Sequence, residues 1–491
     1  MQRLALNFLQ NLTSAPFKRI AVTPSALAFL AASVCLGAND AHAQALDPTF
    51  PNVDSFVSNT AAAFLDLSTT DIDEAARIVP RNNGASMLFL ALASGAQPTA
   101  TVGLRRMTVN TTTTFGSNIQ TGVILPSDKA PTDAVEVGAG ICMVTQWFDS
   151  GPLVYTATLR CVGDNGVSTA TASTPSGTAV DRSAGGLVVV GSEIVVAGSY
   201  SIDTGNFNRF YRLYLERRRA SDLAVIGARV DHDITLIAPS PKTRKFLEVA
   251  KIVQDAQGRF VVAGRVSREQ NSTQTEGFVA RFNVDFSRDT GFGIDGVVIL
   301  NFGGSGAIRF EGVPSDLAVL DNGIIAVTGL GCITTDCGTG PAAATLTRQI
   351  IVKVLRSDGS TVASTNFVTT TAGDSRLPQI EATRKPFIAG NGVGYILVRP
   401  SANGTVTVST NQVDASGAST FVRSNNFRLQ YTSNPNTVVE QSFASLATTQ
   451  NAGRTRHYMA WTYKADNPNT SDTDMVMGEL QGATIFADGF E

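Results

Sequence analysis

Glu248-Val249-Ala250-Lys251-Ile252-Val253-Gln254-Asp255-Ala256-Gln257-Gly258 runs into Phe260-Val261-Val262-Ala263-Gly264, and this stretch sets how the rest of the chain reads. Glu74-Ala75-Ala76-Arg77-Ile78-Val79-Pro80-Arg81-Asn82-Asn83-Gly84 matches it in Glu, Ile-Val and Gly at identical spacing. That second copy runs into Met87-Leu88-Phe89-Leu90-Ala91-Leu92, and Leu317-Ala318-Val319-Leu320-Asp321-Asn322-Gly323 leads in the same way into Ile324-Ile325-Ala326-Val327. An Asx-Gly or related turn between two apolar runs is a hairpin signal, because Gly supplies the positive φ such turns need.

The apolar strand recurs at Ile141–Val144, Ile194–Ala197, Tyr395–Val398 and Tyr458–Trp461. Taking Met87, Ile141, Ile194, Phe260, Ile324, Tyr395 and Tyr458 as anchors, successive copies lie 53 to 71 residues apart. Each is followed by a polar loop and a partner strand, as at Leu159-Arg160, 211–215, 278–282, 350–355 and 475–480. A hairpin-sized module cannot bury its apolar face alone, so neighbouring modules must supply the core. The repeat therefore predicts an all-β chain, a β-propeller of about seven modules in one ring.

Composition agrees. The 491 residues are 43% hydrophobic and 16% charged, with 44 Gly, enough to bury a large core and too little charge for coiled coils. Lys and Arg number 38 against 41 Asp and Glu, a net charge of −3, without the basic face that displaces counterions from phosphates. Nucleic acid is thereby excluded as a partner. The one basic run of three, Arg217-Arg218-Arg219, follows the alternating stretch 211–215 and reads as a solvated strand end.

The N-terminus indicates the compartment. Lys18-Arg19, an apolar run over 20–38 and Ala41-His42-Ala43 have the basic, apolar and small-residue regions of a secretory signal peptide, cut after Ala43. The expected organisation is a signal peptide over 1–43, a repeat domain over 44–482 and a short tail over 483–491. After cleavage no apolar run reaches membrane-spanning length, so a soluble monomer is expected. The C-terminal Phe486-Ala487-Asp488-Gly489-Phe490-Glu491 resembles a tail that recurs at the ends of exported proteins of some Gram-negative bacteria, which implies such a source and a place in the periplasm, at the cell surface or outside the cell. Cys35 leaves with the signal; Cys142, Cys161, Cys332 and Cys337 remain. Their spacing favours disulfides Cys142–Cys161 and Cys332–Cys337 in an oxidising compartment, since neither pair has zinc-site spacing.

One segment goes further. It reads 248–264, then Gly277-Phe278-Val279-Ala280-Arg281-Phe282, then Asp289-Thr290-Gly291-Phe292-Gly293-Ile294-Asp295-Gly296-Val297-Val298, ending in Asn301-Phe302-Gly303-Gly304. This resembles the Delta-60 repeat family. Partial echoes occur at 110–116 with Gly122-Val123, and at Leu46-Asp47-Pro48-Thr49-Phe50. The resemblance implies a secreted or surface β-propeller-like array and assigns it no chemistry. Because Leu46–Phe50 looks like the tail of a repeat unit, the first and last segments are expected to share a blade and close the ring.

No residue set stands out as catalytic, cofactor-binding or metal-binding. Gly291-Phe292-Gly293-Ile294-Asp295-Gly296 fits GxGxxG but is followed by the strand 297–300 instead of a helix, so it reads as a repeat turn. A Ser-His-Asp site needs a histidine, and His232 and His457 are the only ones beyond the signal, the first in an exposed polar setting and the second at a strand start; Gly373-Asp374-Ser375 is a tripeptide of a kind common in loops. The loop 466–474 offers oxygen ligands without EF-hand spacing. Paired carboxylates at the channel mouth remain open as a catalytic device. The reading is a binding module for a protein or glycan partner, with 199–208, 265–276 and 331–348 as contact surface. The alternatives are an extracellular carbohydrate-active enzyme and a purely structural surface protein.

Overall fold

The computed structural model describes residues 62–65, 72–80, 86–94, 100–108, 123–125, 132–149, 154–163, 167–177, 180–203, 209–234, 247–267, 275–300, 312–332, 348–368, 379–383, 393–400, 405–413, 419–428, 441–451, 454–464 and 473–479. The chain divides into two units, Met1–Ala43 and Gln44–Glu491, and all described residues belong to the second. Twenty-eight strands are described, and no helix among these residues.

The first strand, β1 (Ala62–Leu65), pairs with none of its immediate successors. Blade I is β2 (Ile72–Pro80), β3 (Ser86–Ser94), β4 (Ala100–Thr108) and β5 (Val123–Leu125). Blade II is β6 (Asp133–Val137), β7 (Gly140–Asp149), β8 (Val154–Val162) and β9 (Ser168–Ser173). Blade III is β10 (Val180–Val190), β11 (Glu193–Asp203), β12 (Arg209–Arg219) and β13 (Val230–His232). Blade IV is β14 (Leu247–Gln254), β15 (Phe260–Ser267), β16 (Thr275–Phe282) and β17 (Val297–Leu300). Blade V is β18 (Gly312–Val319), β19 (Ile325–Cys332), β20 (Arg348–Leu355) and β21 (Thr361–Val368). Blade VI is β22 (Gln379–Thr383), β23 (Val393–Pro400), β24 (Thr405–Val413) and β25 (Ser419–Arg428). The last is β26 (Gln441–Asn451), β27 (Arg454–Lys464) and β28 (Thr473–Glu479), all antiparallel meanders.

Among the described residues that last blade has three strands of its own, and β1 supplies a fourth. Ala62, Ala63, Phe64 and Leu65 pair antiparallel with Gly478, Met477, Val476 and Met475. The first strands of the blades touch in the cyclic order β2, β6, β10, β14, β18, β22, β26 and back to β2. The chain is therefore a seven-bladed propeller closed by its N-terminal strand onto its C-terminal blade. Closure uses 62–65; the expected closing segment 46–50 lies outside the described residues.

The core lies between successive blades, which explains why the anchor strands read as unbroken apolar runs. On β11, Ile194 and Val196 face blade II while Val195 and Ala197 face blade IV. On β15, Phe260 and Val262 pack toward blade III, and Val261 and Ala263 toward blade V. Phe260, Phe278 and Phe282 are fully buried, each contributing about 2–3 kcal/mol by area removed from water. The hairpin turns are as expected: Gly258 and Gly323 adopt φ of 80° and 79°.

Candidate functional site

The inner strands share a break in register. It falls between Ala75 and Arg77 in β2, Ala184 and Gly186 in β10, Val249 and Lys251 in β14, Pro314 and Asp316 in β18, and Phe443 and Ser445 in β26. The residue passed over is small each time: Ala76, Gly185, Ala250, Ser315 or Ala444. In blade II both Thr132, through its N–H, and Asp133 oppose Val144, so the same two-against-one bulge is present. Room for the bulge comes from the second strand. A Cβ on Gly264 would overlap the carbonyl oxygen of Glu248, and Gly198 and Gly329 stand in the same relation to Ser183 and Val313.

In blades I, II, IV and V the bulge sends the residue after it toward the ring axis. Arg77, Asp133, Lys251 and Asp316 occupy this level in blades I, II, IV and V, and they interact. Lys251 Nζ lies 3.2 Å from Asp133 Oδ1 and Arg77 Nε lies 4.0 Å from the same oxygen. Asp133 Oδ2 accepts the N–H of Leu187 in blade III at 2.9 Å. Asp316 repeats the device: Oδ2 accepts the N–H of Ile380 in blade VI at 3.1 Å, and Oδ1 accepts from Leu317 N–H at 3.0 Å. Burial pushes the Asp316 carboxyl above the ordinary carboxylate range, against the opposing pull of Lys251 and Arg77. Arg77 Nη2 also donates to Thr132 O at 3.0 Å, and Thr132 Oγ1 donates to Ala184 O at 2.6 Å.

Blade III has Gly186 at this level and therefore no side chain. Its backbone lies so close to blade IV that a Cβ on Gly185 would overlap the Val249 carbonyl, and one on Gly186 would stand 2.7 Å from Ile252 N. This close approach lets Lys251 pass blade III and reach Asp133 in blade II.

The segment 248–304 owes its motif to a different contact, at the opposite edge of the ring. Arg281 is buried, with its guanidinium carbon 4.5 Å from the Phe292 ring centroid and Nε 2.8 Å from Asp289 Oδ2. Its Nη1 donates to Ser357 O of blade V at 2.5 Å. Gly293 N–H donates to Asp358 O at 2.8 Å. The Ala-Arg-aromatic strand and the Asp-x-x-Phe-Gly turn thus clamp blade IV to blade V. The glycines of the GxGxxG match are turn residues, with φ of 56° at Gly293 and 82° at Gly296.

Two expectations are corrected. Arg217-Arg218-Arg219 is a strand end, but only Arg219, paired with Asp222 at 2.9 Å, is exposed, while Arg217 is half-buried beside Glu193 at 3.1 Å. Arg218 is buried against Glu216 and donates to Ser173 O of blade II at 2.7 Å, while Arg217 donates to Val284 O of blade IV at 2.9 Å. Successive side chains of a strand point to opposite faces, so the run staples β12 to both neighbours. His232 is buried, its Nε2 2.9 Å from Phe286 O and its ring 4.6 Å from that of Phe282. Burial lowers its pKa.

Cys142 and Cys161 sit opposite each other on β7 and β8 and form a disulfide. Cys332 ends β19, while Cys337 lies outside the described residues, as do 1–43, 373–375, 466–472 and 483–491. His457 lies inside β27, three residues past its start. The strands flanking 204–208, 268–274 and 333–347 are the second and third of blades III, IV and V. In an antiparallel meander these connections open on the edge of the ring where the inner strands begin; the connecting residues themselves lie outside the described set. No group of three His, Cys, Asp or Glu among the described residues could hold a metal ion, and no described helix is long and apolar enough to cross a membrane. The axial charges were not singled out in the sequence, although the match of Glu74–Val79 to Glu248–Val253 aligns Arg77 with Lys251.

No protein-family model matches the chain, and no curated protein matches it. Similar solved structures include Trypanosoma rangeli sialidase in complex with sialic acid, at 10% identity and a TM-score of 0.44, covering 88% of this chain and 60% of that one. A mutant of that sialidase displaying trans-sialidase activity matches at 10% identity and TM-score 0.38, covering 74% of this chain and 56% of its own. The chain thus spans less than two thirds of the length of either sialidase. Penicillium chrysogenum alpha-L-arabinanase complexed with arabinobiose matches at 10% identity and TM-score 0.36, over 84% and 98% of the two chains. At such identity the likeness concerns the fold alone.

Proposed function

We propose that the chain is an exported propeller that works as a binding module at the cell surface or outside the cell, with a protein or glycan as partner. The observation that carries this reading is the state of the axial acids. Glycoside chemistry needs two carboxyl groups free to face a substrate, whereas Asp133 and Asp316 each spend both oxygens on backbone N–H groups or on Lys251. Their work is to tie blade II to blade III and blade V to blade VI.

Partner contact then falls to the edge where the inner strands begin and where 204–208, 268–274 and 333–347 emerge, since loops on a rigid scaffold are the variable part of a propeller. The Cys142–Cys161 disulfide supports export, because such bonds persist in oxidising compartments, and residues 18–43 carry the leader pattern. The clamp of Arg281, Asp289 and Phe292 gives these three residues of the Delta-60-like segment a structural task, which is consistent with that resemblance.

The test is a glycan panel read by thermal shift on the full chain expressed with its leader, beside variants in which 268–274 or 333–347 is replaced by a Gly-Ser linker. Saturable stabilisation by one glycan, lost in a variant that melts normally, is the expected result. Release of sugar from that glycan would overturn the binding reading in favour of an enzyme. Binding untouched by both replacements would overturn the assigned face, and no shift with any glycan turns the reading to a protein partner.

A further inference from the structure

Donors and acceptors at the ring axis do not balance. All four carboxylate oxygens of Asp133 and Asp316 are engaged. The two cations are in the reverse condition. An ammonium carries three N–H donors and a guanidinium five. Among the described residues Lys251 commits one, to Asp133. Arg77 turns Nε and Nη2 on a single acceptor, Thr132 O, at 3.3 and 3.0 Å. Both side chains keep solvent contact, 24% of the surface for Lys251 and 19% for Arg77. Their remaining donors are open to water, and an anion that accepts from both cations can take the place of that water. Gly186 puts no side chain at this level, so nothing from blade III stands between Arg77, Asp133 and Lys251.

We propose that Arg77 and Lys251 form a binding site at the ring axis for a small oxyanion, a carboxylate, sulfate or phosphate, which accepts from the donors that Thr132 and Asp133 leave to solvent. Charge agrees with geometry. Among the described side chains at this level, Arg77 and Lys251 contribute two positive charges against one on Asp133, and burial moves Asp316 toward its uncharged form. Charge-assisted bonds from a guanidinium and an ammonium suit such a guest, and the guanidinium can hold it through two parallel N–H groups. The site is separate from the loop edge and stands whether or not that edge has a partner.

The test is calorimetric titration of the full chain with sodium sulfate, sodium phosphate and sodium acetate at constant ionic strength, with chloride as the reference anion. Saturable binding of at least one oxyanion is expected, and the anion that binds assigns the tetrahedral or the planar class. Arg77→Met and Lys251→Met should each weaken it at least tenfold. Asp133→Asn, which removes the competing negative charge, should tighten it. A purely structural ion cluster predicts no such gain. Wild-type heats that fail to saturate, or that saturate equally with chloride, overturn the site even if the methionine variants do not fold. So does unchanged affinity in a folded Arg77→Met, Lys251→Met double variant.

Discussion

The ammonium of Lys251 lies 3.2 Å from Oδ1 of Asp133, 118 residues away in sequence and two blades away in the ring. The contact passes blade III at Gly185-Gly186, where the backbone packs too closely on blade IV for any side chain. Asp133 in turn holds the N–H of Leu187 in the strand that Lys251 passes. One carboxylate therefore joins three consecutive blades at their inner edge.

The two partners should not be equally costly to remove. Lys251→Met leaves Asp133 with Arg77 and the Leu187 N–H and should cost about 1–2 kcal/mol. Asp133→Ala also orphans that N–H and should cost about 2–4 kcal/mol by the same reasoning. Chemical denaturation orders them, and a larger loss for Lys251→Met would contradict the arrangement.

Asp316 makes a signed prediction about pH. Its folded carboxyl holds a proton more tightly than the unfolded one, so stability falls as pH rises from the ordinary carboxylate range through the raised folded value. Asp316→Asn removes that slope. Melting temperatures measured across this window should converge on, or cross, those of the variant as pH rises. Parallel curves for the two proteins would refute the shift.

The spacing of blades III and IV can be probed with a single methyl group. Gly185→Ala sets a Cβ against the Val249 carbonyl and should cost at least about 2–3 kcal/mol through displaced backbone. Gly258→Ala, whose nearest neighbour is Val284 at 3.5 Å but whose φ is 80°, should cost only about 1 kcal/mol of conformational strain. Comparable losses at both sites would mean that the blades can part at little cost.

The Cys142–Cys161 disulfide closes a sequence separation of 19 residues. Replacing both cysteines by alanine should lower stability by about 3 kcal/mol on the chain-entropy account. An identical denaturation midpoint for the reduced and oxidised protein would show that blade II takes nothing from the bond.

Blade architecture was legible because the middle strands are buried on both faces, which leaves runs such as 194–197 and 260–263 uninterrupted by polar residues. The Asn322-Gly323 turn was legible for a local reason: Ile324 N–H donates to the Asn322 side chain at 3.1 Å and Gly323 takes positive φ. The axial charges were hidden by the bulge, which passes over one residue and sends the next inward without any change of local pattern. Among the described side chains the level is filled by Arg77, Asp133, Lys251 and Asp316, with Gly186 in blade III, and these share no side-chain chemistry, so repeat comparison found only the Arg77–Lys251 match. The tasks of Arg217 and Arg218 depend on carbonyls 67 and 45 residues away, and burial of His232 depends on Phe286, 54 residues on. Ring closure was foreseeable in kind, yet the short apolar stretch 62–65 carried no mark that it would be the closing strand.

Closure of the ring is the central claim about the fold, and one cross-link tests it. Ala63 and Met477 are directly opposed on β1 and β28. In the Ala63→Cys, Met477→Cys variant, mild oxidation and peptide mapping under non-reducing conditions should give a disulfide-linked peptide pair joining 63 to 477 within one chain. If both new thiols stay free under conditions that oxidise Cys142 and Cys161, β1 does not sit on β28 and the seven-bladed closed ring is wrong.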